Sequence, residues 1–282
     1  MIASGAYSRR REKDGESSNE WRAFSRSGRS VVSGDLTTDA FPRRWNPRRS
    51  IPSEYEPLCS VVGHALEAAG WWQPRSGELV DGGLVVVHDG GPESAIRRFA
   101  HTVHDPEAMV LRPSGFLQAL PSTLSSVLGL LYGLRDYHAN LVGGTSAGVR
   151  GLRHLLDLIA LGRLERGVLA VLSDDGGLAN PSSCDFEEPA AALPSSALAV
   201  ALCFDRDAGD SALSLDCGWE VALTPSEVRR DPGCGAALSL LGLAKHLETC
   251  FCGMNPADAD SAVRWSGTWG WIELYDQASL SQ

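Results

Sequence analysis

The residues best placed to do chemistry are the five small ones in Gly144-Thr145-Ser146-Ala147-Gly148, where two hydroxyl groups stand between glycines. A Ser or Thr hydroxyl is a weak nucleophile at neutral pH and needs an adjacent base before it can attack an acyl group. Small neighbours keep such a turn open to a substrate. Thr145 and Ser146 are therefore the candidate catalytic residues of this chain.

The elements on either side of this turn must hold it at the junction of a strand and a helix. The short apolar run 139–142 predicts a central buried strand that ends at Gly143-Gly144. A buried helix is expected over 146–161, with Gly162 as its stop. The apolar residues of this helix recur at helical spacing, at Val149, Leu152, Leu155, Leu156 and Ile159.

Other apolar runs predict an α/β fold with a mixed, mainly parallel sheet that carries helices on both faces. Residues 83–87 and 168–172 are continuous aliphatic runs, typical of buried strands. Further helices are expected over 57–70, 93–103, 116–134 and 235–247, a strand pair over 198–204 and 212–215, and a closing strand over 265–275. The sequence shows no internal repeat.

Composition indicates one globular domain, predicted over 36–276, behind a disordered basic leader over 1–35. The first 50 residues hold eleven Arg and Lys against six Asp and Glu, so the totals of 25 and 35 leave 14 basic and 29 acidic residues in the remainder. A body with a net charge of −15 is not a natural partner of nucleic acid. No apolar run reaches the roughly 20 residues that cross a bilayer, so we expect a cytoplasmic protein.

The sequence predicts neither a metal site nor a cofactor. Seven cysteines occur without a CxxC pair, and the CxC at Cys250 and Cys252 has no further ligands nearby in the sequence. Surface or packed positions are expected for the seven histidines, which are His64, His88, His101, His104, His138, His154 and His246.

Residues 113–175 resemble the centre of the β-ketoacyl synthase family, which has a thiolase-type fold. In that family an apolar helix leads through a Gly-Leu turn to a strand, a glycine pair, the nucleophilic cysteine, a small-residue helix and a Gly-Arg turn. These features fall in register on Phe116, Pro121, Gly133-Leu134, Gly143-Gly144, Gly148, Ile159 and Gly162-Arg163. A weaker resemblance extends from about residue 41 to residue 215.

The chain departs from the family at the residues that carry the chemistry. Thr145 stands where the family has its cysteine, and the two C-terminal histidines that drive condensation in the family have no counterpart. The chain also ends before a second, similar half is complete, so the resemblance implies a thiolase-like half-fold. Phe116, Gly144 and Gly148 are the positions at which the resemblance implies substrate binding.

The resemblance implies that the chain is an accessory subunit of a condensing enzyme. The chain resembles the short ketosynthase-like proteins related to chain-length factors, which implies a non-catalytic subunit in a heterodimer with a full-length ketosynthase. That partner would condense acyl carrier protein thioesters with decarboxylation, in polyketide, aryl-polyene or fatty-acid biosynthesis. The implied chemistry uses acyl thioesters and no cofactor.

A second hypothesis remains open, because residues 144–148 also match the G-x-S-x-G nucleophile elbow of serine hydrolases. The segment resembles patatin-type lipases, in which a later Asp-Gly-Gly supplies the catalytic aspartate. Asp175-Gly176-Gly177 would fill that role, and His88-Asp89-Gly90-Gly91 would represent the oxyanion loop. Under this alternative the chain is a serine acyl hydrolase that uses Ser146 and Asp175. The short separation of these two residues favours the ketosynthase-like interpretation.

Overall fold

The structure is a computed structural model whose main feature is a seven-stranded mixed sheet. It describes residues 2–13, 16–25, 31–35, 55–73, 80–88, 93–104, 113–143, 146–174, 197–206, 213–218, 240, 243–245, 247, 262–267 and 270–276. The sheet contains β1 (Ile2–Lys13), β2 (Glu16–Ser25), β3 (Val31–Asp35), β4 (Gly83–His88), β5 (Tyr137–Val142), β6 (Arg166–Asp174) and β7 (Ala197–Asp205). Their order is β3-β2-β1-β7-β6-β4-β5. Parallel pairing joins β4 to β5 and to β6, and the other neighbours are antiparallel.

Five helices accompany the sheet in the described part of the chain. They are α1 (Glu56–Ala68), α2 (Glu93–His104), α3 (Pro113–Gln118), α4 (Ser122–Tyr132) and α5 (Ala147–Ala160). The buried residues of α1 and α4 pack with Leu84 and Val86 of β4 in one core. The residues of α5 pack with Val85 and Val87 in a second core. Because alternate residues of a strand point to opposite faces, these two cores cover both faces of β4. The predicted α/β class, with helices on both faces of a mixed sheet, is confirmed.

A second, smaller sheet contacts α5. It consists of β8 (Leu213–Gly218), β9 (Ala262–Gly267) and β10 (Gly270–Asp276), in the antiparallel order β8-β10-β9. Both β8 and β10 contact α5. Leu240, Leu243 and Leu247, from the helix expected over 235–247, are helical and join α5 in its core. One broad face of α5 is therefore buried, whereas Arg150 and Asp157 on its remaining face are exposed.

The structure corrects the predicted disordered leader. β1 lies inside the main sheet, between β2 and β7. Ser4 and Ala6, two residues apart, are buried, and the Ser4 hydroxyl donates a hydrogen bond of 2.7 Å to the carbonyl oxygen of Ala65 in α1. The strand register also places Arg9 opposite Glu20. The high charge of residues 1–35 suggested disorder, but residues 2–13, 16–25 and 31–35 pair as strands of the sheet, with Ser4, Ala6 and Ala23 buried.

Three further expectations differ from the structure. The strand before Gly143 is β5, which is the edge strand and not a central one. Its residues alternate between half-buried and exposed, because successive side chains point to opposite faces of the sheet. The helix expected over 116–134 is divided into α3 and α4. The strands expected to pair, β7 and β8, belong to different sheets, and the closing strand is the hairpin of β9 and β10.

Burial of His64 on α1 makes the stability of this fold depend on pH. Burial lowers the pKa of His64 from 6.5 to about 4. Between these values the unfolded chain binds a proton that the folded chain excludes, so stability falls as the pH drops from about 6.5 to about 4. Burial raises the pKa of Glu67, which acts in the opposite direction. Its effect is smaller because the Glu67 side chain is half exposed.

We predict that His64→Leu flattens the pH dependence of stability between pH 6.5 and pH 4. The difference between wild type and variant should change by on the order of 3 kcal/mol across this interval, since each pKa unit corresponds to about 1.4 kcal/mol. Urea unfolding of both proteins at several pH values measures this difference in the free energy of unfolding. His101→Leu, at an exposed site on α2, is the control. Equal slopes for wild type and His64→Leu would contradict the prediction.

Candidate functional site

The candidate site lies where β5 ends and α5 begins. The Gly143 amide donates a hydrogen bond of 3.2 Å to the carbonyl oxygen of His88, which joins the carboxyl ends of β5 and β4. Ser146 is the N-cap of α5, and its carbonyl oxygen accepts a hydrogen bond of 3.0 Å from the Arg150 amide. A strand and a helix flank this turn as predicted, although the strand is an edge strand and not a central one. The ends of the turn are Gly143 and Ser146, whereas Gly144 and Thr145 lie outside the described residues.

Close contact between α5 and the sheet fixes the position of this turn. A Cβ atom added to Gly151 would lie 2.5 Å from Cγ2 of Val87 and 3.1 Å from Cδ1 of Leu169. A glycine at this position therefore lets the helix backbone rest directly on β4 and β6. Gly148, one turn earlier, is also buried. The N-terminus of α5 is thus held against the carboxyl ends of the parallel strands.

Ser146 is half-buried at the start of α5. Its backbone is helical, with φ −79° and ψ −7°, and its side chain makes no cap hydrogen bond among the described residues. An N-cap serine usually accepts a hydrogen bond from the helix backbone. The Ser146 hydroxyl is not used in that way here.

A small pocket lies on the face of β5 that packs against α4, opposite the face that packs against α5. It is lined by Tyr55, Val86, His88, Pro121, Leu124, Asn140, Leu141 and Val142. The rings of Tyr55 and His88 meet edge to face, with centroids 6.4 Å apart. The Asn140 amide nitrogen donates a hydrogen bond of 2.8 Å to the Ser125 hydroxyl, which ties β5 to α4. Polar and apolar groups therefore meet at the carboxyl ends of β4 and β5.

Sequence reasoning missed Asn140 as a site residue and considered His88 only as part of a glycine-rich segment. Their places in the sequence could have identified them, since both lie near the carboxyl ends of predicted parallel strands, and side chains at these ends converge at one edge of a sheet. Phe116, a predicted substrate-binding residue, lies on α3, where its ring packs on Phe99 with centroids 5.7 Å apart. Asp175, needed only by the hydrolase hypothesis, lies outside the described residues.

Cys59 and Cys203 are poor nucleophiles. Cys59 and Cys203 are free and buried. Burial raises the pKa of the Cys203 thiol to about 12 and that of Cys59 well above its usual value. A thiol is reactive as its thiolate, so neither side chain can replace the missing nucleophile of the turn. Cys250 and Cys252 lie outside the described residues.

The described ranges contain neither a cluster of metal ligands nor a helix that could cross a membrane. These ranges contain no group of three or more His, Cys, Asp or Glu side chains that could hold a metal ion. None of their helices combines the length and the apolar character that crossing a membrane requires.

Comparison with known proteins gives a match in structure and none in sequence. No family model matches the chain, and no curated protein does. A chain of the complex of the ketosynthase ApeO with its chain length factor ApeC, from Xenorhabdus doucetiae, is similar with a TM-score of 0.52 and 12% identity, over 98% of this chain and 100% of that one. A chain of the ishigamide ketosynthase/chain length factor gives a TM-score of 0.55 and 12% identity, over 97% of each chain.

At 12% sequence identity the two similar structures establish the fold of this chain and nothing about its function. Both alignments span nearly the whole of this chain and of the matched chain. The protein therefore has the thiolase-like fold found in these ketosynthase and chain length factor structures.

Proposed function

We propose that this chain is a non-catalytic, chain-length-factor-like subunit that pairs with a full-length ketosynthase. The observation that carries the proposal is a preserved strand–turn–helix, from β5 to α5, with threonine in place of cysteine at residue 145. The pair would condense acyl carrier protein thioesters with decarboxylation, in polyketide, aryl-polyene or fatty-acid biosynthesis, in the cytoplasm.

The chemistry of residue 145 supports a non-catalytic role. A cysteine at a helix N-terminus is activated because the positive end of the helix stabilises its thiolate. A threonine hydroxyl is not ionised at neutral pH, so the same helix end gives it no comparable advantage. Thr145 would therefore not accept an acyl group from a thioester. Gly144 and Gly148 would keep the turn open to an acyl chain, and Phe116 would contact that chain.

The position of β5 supports pairing with a ketosynthase. An edge strand presents backbone N–H and C=O groups that can pair with a strand of another chain. β5 is such an edge, and Val142 on it is 50% exposed. Leu130 on α4, the helix that packs beside β5, is also exposed. The similar structures are themselves complexes or pairs of a ketosynthase with a chain length factor, and we propose that β5 meets the partner's sheet edge to edge.

The serine hydrolase alternative receives no support from the two similar structures, which are ketosynthase and chain length factor proteins. Ser146 and Asp175 remain its required residues. A labelling experiment distinguishes the hydrolase alternative from the proposed function.

We predict that Val142→Lys weakens the heterodimer with the ketosynthase at least tenfold, because the substitution places a charge on an edge strand that must be buried in the pair. Light scattering of the mixed proteins measures pairing. The fold should be unaffected, since the side chain is already half exposed. Leu161→Lys, on a side chain that is 75% exposed beyond the end of α5, is the matched control. A wild-type chain that stays monomeric beside its ketosynthase would refute the proposal.

We predict that neither an acyl carrier thioester nor a serine-directed fluorophosphonate labels the wild-type chain, because no activated nucleophile occupies the turn. Thr145→Cys should gain a thioester adduct, since a thiolate at this helix end is stabilised. Intact-mass spectrometry detects both adducts. A fluorophosphonate adduct on Ser146 that Asp175→Asn abolishes would instead establish the hydrolase alternative.

A further inference from the structure

The α4 side of β5 carries two polar side chains whose orientations are fixed by hydrogen bonds. His138 and Asn140 are two residues apart, so both point to the same face of the strand. Both are exposed. The contacts of His138 with Gly129 and of Asn140 with Ser125 show that this face is the one beside α4. The two side chains therefore define the polar character of β5 on this side.

The imidazole of His138 lies against α4 and is held there by one hydrogen bond. A Cβ atom added to Gly129 would overlap Cε1 of His138, so the glycine makes room for the ring. Nε2 of His138 is hydrogen-bonded to the carbonyl oxygen of Leu134. A carbonyl oxygen can only accept, so Nε2 carries the proton of the neutral ring. Nδ1 of His138 is therefore a hydrogen-bond acceptor.

The amide of Asn140 is oriented by Ser125. The Ser125 hydroxyl donates a hydrogen bond of 3.0 Å to the carbonyl oxygen of Ser122, so it accepts the bond of 2.8 Å from Nδ2 of Asn140. Oδ1 of Asn140 is then a second acceptor. Among the described residues, no group donates to Oδ1 of Asn140 or to Nδ1 of His138. We call these two atoms the acceptor pair.

The acceptor pair lies on the strand that we propose meets the ketosynthase. β5 is an edge strand, Val142 beside the pair is half exposed, and Leu130 on α4 is exposed. A strand that pairs with β5 would bring the acceptor pair into the interface. An acceptor that is buried without a donor is costly. The pair therefore favours a partner that presents side-chain donors at two positions about 7 Å apart, the spacing of alternate residues in a strand.

A second copy of this chain does not supply such donors. Two identical strands pair antiparallel about a two-fold axis perpendicular to the sheet, which puts the α4 sides of both copies on the same side. Opposite residues of an antiparallel pair share a face. His138, Asn140 and Val142 would therefore face their own counterparts. These offer two acceptors and an apolar side chain, while Nδ2 of Asn140 is bonded to Ser125.

We propose that the acceptor pair selects the partner of β5. It favours a ketosynthase edge strand that carries side-chain hydrogen-bond donors, and it disfavours pairing with a second copy of this chain. This selection rests on the proposed function, which names the ketosynthase as the partner, and it adds the chemistry by which that partner is recognised.

The test measures pairing of the full chain with its full-length ketosynthase by light scattering over a range of concentrations. His138→Gln should weaken pairing by about fivefold or more, because the glutamine amide can keep the bond to Leu134 but has no acceptor in place of Nδ1. Asn140→Val should weaken it by a similar factor, because Oδ1 is lost. Asn140→Asp keeps an oxygen acceptor and should pair within about threefold of wild type.

Two controls separate this effect from a general effect of substitution. His101→Gln and Thr102→Val, at exposed positions on α2, should change pairing by less than about twofold. Urea unfolding of His138→Gln should match that of wild type, because the bond to Leu134 is kept. Weaker pairing at unchanged stability would then come from the lost acceptor.

Wild-type pairing by both His138→Gln and Asn140→Val would overturn the selection and leave the proposed function standing. A loss in Asn140→Asp as large as in Asn140→Val would also overturn it, because the bond to Ser125 would then be the feature that matters. A stable homodimer of the wild-type chain in the presence of the ketosynthase would contradict it as well. Wild-type chain that does not pair with the ketosynthase at all would refute the proposed function, and the selection with it.

Discussion

The candidate site depends on the close packing of α5 on the main sheet. Gly151 brings the helix backbone against Val87 and Leu169, and α5 also contacts β8 and β10. Because protein interiors are closely packed, a helix in such close contact has little freedom to shift. The start of α5 is thereby fixed beside Gly143 and the end of β4. The positions of the end of β5 and the start of α5 therefore follow from this packing.

The elements nearest the site could be predicted from local pattern. α5, β4 and β6 have apolar residues at a clear helical period or in continuous runs, and burial on the sheet follows from those patterns. The position of β5 could not be obtained in this way, because the place of a strand in a sheet is set by pairings distant in sequence. The alternation of residues along β5 did indicate which side chains share a face. Tyr137, Ala139 and Leu141 pack on the α5 side, whereas Asn140 bonds to Ser125 on the α4 side.

The strands β1 to β3 and the second sheet were missed for related reasons. In β1 the run Arg9-Arg10-Arg11 dominates the composition and conceals the alternating buried pair Ser4 and Ala6. β8 pairs with β10 across more than fifty residues, and no local pattern specifies such a partner. In the site itself, the motif identified Ser146 and Gly148. Asn140 was missed, and His88 was considered only in the hydrolase hypothesis and among the packed histidines, because only the folded strands bring these two residues together at one pocket.

The central claim is that β5 is the surface at which this chain meets a ketosynthase. Hydrogen exchange of the backbone amides of residues 137–142, with and without the full-length ketosynthase, tests it most directly. An edge strand exchanges those amides that no neighbour protects. The account predicts that the ketosynthase slows the exchange of outward-facing amides in β5 and leaves β3, the other edge of the sheet, unchanged. Exchange in β5 that is the same with and without the ketosynthase would contradict it.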